Sequence, residues 1–140
     1  MIRYTNTADG IGTEQLDGFF VGWPSPPSRE THLAILRGSS HVVLAVDDET
    51  GAVVGFINAI SDGVLAAYVP LLEVLLSHRG RGIGRELVTR MHDALKDLYM
   101  VDLLCDPDME EFYSRFGMRP GRAMTLRRHD RQSGVPPDER

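Results

Sequence analysis

Apolar residues recur at helical spacing most clearly at Ile83, Leu87, Val88, Met91, Ala94, Leu95 and Leu98, with Arg85, Arg90, Asp93 and Lys96 on the opposite side. That pattern predicts an amphipathic helix over Ile83 to Leu98. Upstream, Ile2 to Thr5 reads as a short edge strand, and Thr13 to Val21 and Ser28 to Arg37 read as two helices. Ser28 is the N-cap of the second, with Leu33 and Leu36 facing inward. Between them, Gly22-Trp23-Pro24-Ser25-Pro26-Pro27 cannot continue a helix. His41 to Val46 and Ala52 to Ile60 flank Asp47-Asp48-Glu49-Thr50-Gly51 and predict a β-hairpin. The turn Ser61-Asp62-Gly63 leads into an apolar run from Val64 to Leu76, in which Pro70 signals a bulge because proline has no N–H for a ladder.

Downstream, Tyr99 to Cys105 reads as a strand, and Asp106-Pro107 opens a helix running from about Asp108 to Phe116 and ending at Gly117. Ala123 to Arg128 reads as a last short strand, and Arg131 to Arg140 as a polar, mobile tail. Hairpins first and a strand-helix-strand crossover later give an α/β fold: a mixed, mostly antiparallel central sheet with helices on both faces. The expected organisation is one domain over residues 1–128 and a tail over 129–140.

Composition narrows the function classes. The 140 residues are 42% hydrophobic and 25% charged, ordinary for a globular domain, with a net charge of −5. An acidic balance argues against nucleic acid or an anionic membrane as partner. No apolar segment has signal-peptide or membrane-span length, so a cytoplasmic location is expected. Cys105 has no second cysteine to pair with, and His32, His41, His78, His92 and His129 show no ligand spacing, so no metal is expected.

The candidate chemistry starts at Arg79-Gly80-Arg81-Gly82-Ile83-Gly84, a glycine-rich turn between the apolar run and the amphipathic helix. Free amides of a helix's first turn and the positive end of its dipole favour an anion, and glycine lets a phosphate approach the backbone. A Walker A loop would need Lys and then Ser or Thr after the last glycine, where Arg85-Glu86 stands. A dinucleotide turn counted from Gly80 would need a third glycine at Arg85. Neither spacing fits.

The turn spells R-x-x-G-x-G, and behind one helix and one strand Phe112-Tyr113-Ser114-Arg115-Phe116-Gly117-Met118 spells F-Y-x-x-x-G-M. Together these resemble the two signatures of the GNAT superfamily of N-acyltransferases, of the small single-domain bacterial type, over nearly all of the chain to Arg128. The resemblance implies acetyl-CoA as co-substrate, no metal, and a small-molecule or peptide amine as acceptor. It leaves the chain a monomer or a homodimer. Backbone groups of Val74, Leu75 and Leu76 would pair with the pantetheine arm. The amides of Gly80, Arg81, Gly82, Ile83, Gly84 and Arg85 would cradle the pyrophosphate, with Arg79 and Arg81 adding charge. Asp106 stands where many relatives carry a cofactor-contacting Asn, and helix N-capping is the expectation for it here.

The implied reaction is attack of a neutral amine on a thioester. Tyr113 is the expected acid for the departing thiolate, since a phenol near pKa 10 is protonated at neutral pH. The N–H of Val74 is the expected oxyanion donor. Glu73, a lone carboxylate in an apolar strand, is the expected base. His78 and Asp102 are further candidates. Phe20, Trp23 and Tyr68 are expected on the acceptor side, with Asn58 and Asp62 as possible polar contacts. A non-catalytic acyl-CoA-binding or regulatory module of the same fold is the alternative.

Overall fold

The structure, a computed structural model, describes residues 1–136; residues 137–140, the end of the expected tail, lie outside the described residues. Six strands form one sheet: β1 (Ile2–Thr5), β2 (His41–Asp47), β3 (Val53–Ser61), β4 (Ala66–Tyr68), β5 (Leu72–Val74) and β6 (Met100–Asp102). The order is β1-β2-β3-β4-β6, with β5 also pairing β3. Every pairing is antiparallel except that of β4 with β6. Helix α1 (Arg29–Gly38) covers one face, while α2 (Ile83–Ala94) and the short α3 (Glu110–Ser114) belong to the other.

Two apolar layers hold this arrangement together. Period-2 alternation along β2 sends Val43 and Ala45 toward Ile83, Leu87, Val88 and Met91 of α2. Val42, Leu44 and Val46 face the other way, toward Leu33 and Leu36 of α1 and toward Leu16 and Phe20. Helix α1 starts as expected, with Ser28 Oγ accepting from Thr31 N at 3.1 Å. Gly55 is required by packing, because a Cβ there would stand 3.1 Å from Leu87 Cδ1 and 3.2 Å from Ile83 Cγ2. No helix of the described residues is long and apolar enough to cross a membrane.

Two expected elements are absent. Instead of a helix over Thr13 to Val21 there is a single 3-10 turn, Thr13–Gln15, followed by left-handed residues at Gly18, Phe20 and Gly22. Tertiary hydrogen bonds to Phe20 N and Val21 N take the place of helical ones. Ala123 to Arg128 forms no strand, and every residue from Arg119 to Asp130 is exposed. Beyond it the chain turns at His129–Arg131 and returns to the body, where Ser25 N donates to Gln132 Oε1 at 2.7 Å.

The α1 layer also buries His32, which contacts Phe56, Phe20 and Phe19 at ring separations of 4.4, 4.9 and 5.2 Å and has no hydrogen-bond partner for either ring nitrogen among the described residues. Burial lowers its pKa to about 4, so the folded chain holds it neutral. The unfolded chain takes up a proton near pH 6.5 and the folded chain does not. The stabilisation is therefore complete above pH 6.5 and is lost as pH falls toward 4, by up to about 3 kcal/mol. Urea unfolding should give a lower midpoint at pH 4.5 than at pH 7, and His32→Leu should remove most of that difference.

Candidate active site

The site originates in a mismatch within the sheet. Ile60 of β3 lies opposite Tyr68 of β4, and Ile57 lies opposite Leu72 of β5, so three residues, Val69-Pro70-Leu71, face two, Asn58 and Ala59. This is a β-bulge, with Pro70 at the position that needs no ladder N–H. Val69 N still donates to Asp102 O at 2.9 Å, but past Pro70 the chain turns to β3, and Asn58 N donates to Leu71 O at 3.2 Å. Buried Asn58 completes the bend: its Oδ1 accepts from Leu71 N at 3.1 Å and its Nδ2 donates to Ser39 Oγ at 3.0 Å. β5 consequently departs from the line of β6. Leu103-Leu104-Cys105, expected to lie within a strand, continue β6 without ladder partners.

The gap is a cleft of about 790 Å³ between β5 and Leu103–Cys105. Its β5 wall presents unpaired backbone. Leu71 and Leu75 exchange hydrogen bonds with β3, Leu75 N donating to Val54 O at 2.9 Å. Antiparallel alternation therefore turns the N–H and C=O of Leu72 and Val74 to the cleft. The Val74 carbonyl accepts from Arg79 Nε at 3.0 Å, and the Val74 N–H has no partner among the described residues.

Helix α2 begins at one end of this wall. Its N-cap, Gly82, is left-handed (φ 80°), as is Gly80 (φ 78°), and no side chain caps the first turn. The backbone conformation, rather than crowding, demands glycine at these two positions. The free amides of the first turn and the helix dipole, with Arg79 and Arg85 alongside, make this end of the cleft attractive to an anion.

Because the sheet is split, the cleft is lined by residues from both of its faces. On the α1 face, Glu73 Oε1 accepts from Phe20 N at 2.8 Å and Oε2 from Val21 N at 3.3 Å, which pins the left-handed turn carrying Trp23. Trp23 packs edge-on against Phe20 with ring centroids 4.9 Å apart. On the α2 face, Tyr113 belongs to the core layer yet lines the cleft, its ring edge-on to Phe112 at 5.0 Å. Burial, and then the nearby Cys105, push its phenol up to about 12. It stays a neutral proton donor throughout the physiological range.

Of the expected site residues, the cleft brings together Glu73, Val74, Arg79, Gly80, Gly82, Ile83, Gly84, Arg85, Tyr113 and Trp23. Leu75, Leu76, Arg81 and Phe20 do not line it, and Tyr68 lines a different cleft. Leu75 directs its N–H to β3, and Phe20 is buried behind Trp23. His78 lines the cleft with its ring bonded to Ser77 Oγ at 2.7 Å and 3.9 Å from Asp47. Asp102 lies on the far side of β6, in the other cleft. Asp106 lines the first cleft at the N-cap of the turn Pro107–Met109, but its side chain makes no capping bond, contrary to expectation. Asn58 braces the bulge, and Asp62 closes the β3–β4 turn by accepting from Val64 N and Leu65 N at 2.8 Å each.

Leu103, Leu104, Cys105 and Met109 line the cleft without having been expected as site residues. The sequence marks Leu103–Cys105 only as strand, and their availability follows from β5 bending away.

The family described as "Acetyltransferase (GNAT) family" matches residues 9–118. A Deinococcus radiodurans R1 structure described as an acetyltransferase is 50% identical, with a TM-score of 0.92 over 96% of this chain and 94% of that one. A GNAT family protein from Streptococcus pneumoniae TIGR4 is 27% identical, with a TM-score of 0.70 over 91% of this chain and 100% of that one. The glucosamine-6-phosphate N-acetyltransferase from Arabidopsis thaliana shares the fold at 16% identity, with a TM-score of 0.67 over 91% of this chain and 98% of that one. No curated protein sequence matches the chain.

Asn58→Ala would leave Leu71 N without its acceptor beside the bulge. It should cost about 1–3 kcal/mol in denaturant unfolding. Asn58→Asp keeps the acceptor but puts a carboxylate into a buried site without a cationic partner, and should cost at least as much.

Proposed function

Because the chain belongs to the GNAT acetyltransferase family, we propose that it transfers the acetyl group of acetyl-CoA to a primary amine, by direct attack while both substrates are bound. The observation that carries this reading is the split sheet. A cleft lined from both faces of the sheet, with an anion-attracting helix terminus and Tyr113 on one side and Glu73 and Trp23 on the other, suits two substrates that meet in the middle.

The fit to acetyl-CoA rests on three features of this chain. The free edge of β5, which ends at Val74 beside the glycine loop, suits the thioester end of a pantetheine arm added in the manner of a strand. The unpartnered first turn of α2 suits the pyrophosphate, and Arg79, its Nε held by the Val74 carbonyl, keeps its remaining N–H groups for the same anion. The Val74 N–H suits the thioester oxygen as negative charge develops there. Acetyl-CoA supplies the activated acyl carbon.

The remaining residues handle protons. Glu73, anchored by Phe20 N and Val21 N, keeps lone pairs for the proton that the acceptor ammonium must lose before its nitrogen can attack. Attack forms the C–N bond and puts negative charge on the thioester oxygen; as the C–S bond then breaks, Tyr113 passes its phenolic proton to the departing sulfur. The second proton of the attacking nitrogen restores the phenol, whose pKa of about 12 makes its anion the stronger acceptor. The acceptor is a small-molecule or peptide amine.

CoA release with a panel of amines tests the proposal. Tyr113→Phe should lower kcat about 100-fold or more with little change in KM for acetyl-CoA. No alkaline loss of rate from Tyr113 should appear below pH 10, because its raised pKa keeps the donor protonated. Glu73→Gln should flatten the acid limb of the kcat/KM profile. Acetyl-CoA binding without turnover on any amine, with Tyr113→Phe altering stability alone, would instead identify an acyl-CoA-binding module.

A further inference from the structure

Past its turn at His129–Arg131 the chain does not hang free. It buries Ser133 and packs on the first turn of α1, where a Cβ on Gly134 would stand 2.8 Å from Thr31 Cγ2. Gly134 is also left-handed (φ 84°), so its turn and its contact both call for glycine. From this strap Gln132 extends its side chain to the loop that joins the Phe20 turn to α1, and Ser25 N donates to Gln132 Oε1 at 2.7 Å across 107 residues of sequence.

That bond takes the one backbone donor the segment has. In Pro24-Ser25-Pro26-Pro27 three of the four residues lack an N–H, so Ser25 supplies the only one. Proline also fixes φ, which leaves the segment few ways to bend and lets a single anchor near its centre orient all of it. Two residues before that anchor stands Trp23, which lines the cleft between β5 and Leu103–Cys105. On the other side of Trp23 the loop is held by the Glu73 carboxylate, through Phe20 N and Val21 N. The indole thus sits between two tertiary anchors, one from β5 and one from the C-terminal strap.

We propose that Gln132 is a positioning residue for the acceptor side of the cleft: through Ser25 it holds the proline loop, and with it the Trp23 ring against which the amine docks. The proposal rests on the acetyl-transfer reading above, in which Trp23 and Glu73 form the acceptor wall. Gln132 does not line the cleft, so it acts through the indole. The anion-attracting end of the cleft is built by β5 and α2 instead, so loss of the Gln132 anchor should be felt by the amine and not by acetyl-CoA.

Trp23 is the single tryptophan of the chain, so its emission reports the loop with or without turnover. Gln132→Leu, which keeps bulk and removes the acceptor, should shift that emission to the red and make it more accessible to acrylamide. In CoA-release assays the same variant should raise KM for the most rapidly acetylated amine of the panel about tenfold, the scale of one lost hydrogen bond, with KM for acetyl-CoA unchanged. Gln132→Glu keeps an oxygen acceptor for Ser25 N on a half-buried side chain, and should return both the emission and the amine KM to the parent values. An unchanged Trp23 emission in Gln132→Leu would overturn the proposal. So would equal rises in KM for both substrates, or a Gln132→Glu variant that behaves like Gln132→Leu. If the parent chain turns over no amine, the acetyl-transfer reading fails and the acceptor role with it, whereas the hold of Gln132 on Trp23 still stands or falls on the emission.

Discussion

Pairing of the backbone is the constraint on which this molecule turns. A buried N–H or C=O without a partner costs about as much as a lost hydrogen bond, so a sheet can open only where something else satisfies the groups it releases. At Val69-Pro70-Leu71 that condition is met locally. Pro70 has no N–H to leave unpaired, Val69 stays bonded to Asp102, and the Asn58 side chain accepts from Leu71. The strand can therefore change neighbours without a deficit, and the sheet splits beyond it. The groups left unpaired in the split are the Val74 N–H on one wall and, by alternation along β6, the backbone of Leu104 on the other. They line a cleft in which water or a ligand can reach them.

The split brings together parts of the chain that the two faces would otherwise keep separate. Glu73 and Val74 are sequence neighbours on one strand, yet alternation sends Glu73 toward the Phe20 turn and Val74 toward α2. Tyr113 reaches the same opening from α3. The chemistry proposed for the site needs this arrangement: an anion site and a neutral phenol on one side, and a carboxylate under an aromatic wall on the other. The Phe20 turn and β5 are mechanically coupled, because the carboxylate bonded to the turn is the proposed base.

Sequence alone determined the features that depend on short-range pattern. The α2 periodicity, the Ser28 cap, the β2–β3 hairpin and the irregularity at Pro70 are local, and all are present. The order of elements is also present apart from the first expected helix and the last expected strand, together with the glycine turn and the Phe112-Tyr113 pair that pointed to the cleft. Thr13 to Val21 failed as a helix because its competitor was remote: the Glu73 carboxylate, more than fifty residues away in sequence, takes the N–H groups of Phe20 and Val21. Ala123 to Arg128 failed as a strand because strand propensity cannot supply an edge to pair with. Tyr68 and Asp102 sit on the second cleft because the β4–β6 pairing carries them past the bulge. Which backbone groups of β5 face the opening was likewise a tertiary decision, set by its register against β3, and register is a relation between strands that neither strand contains alone.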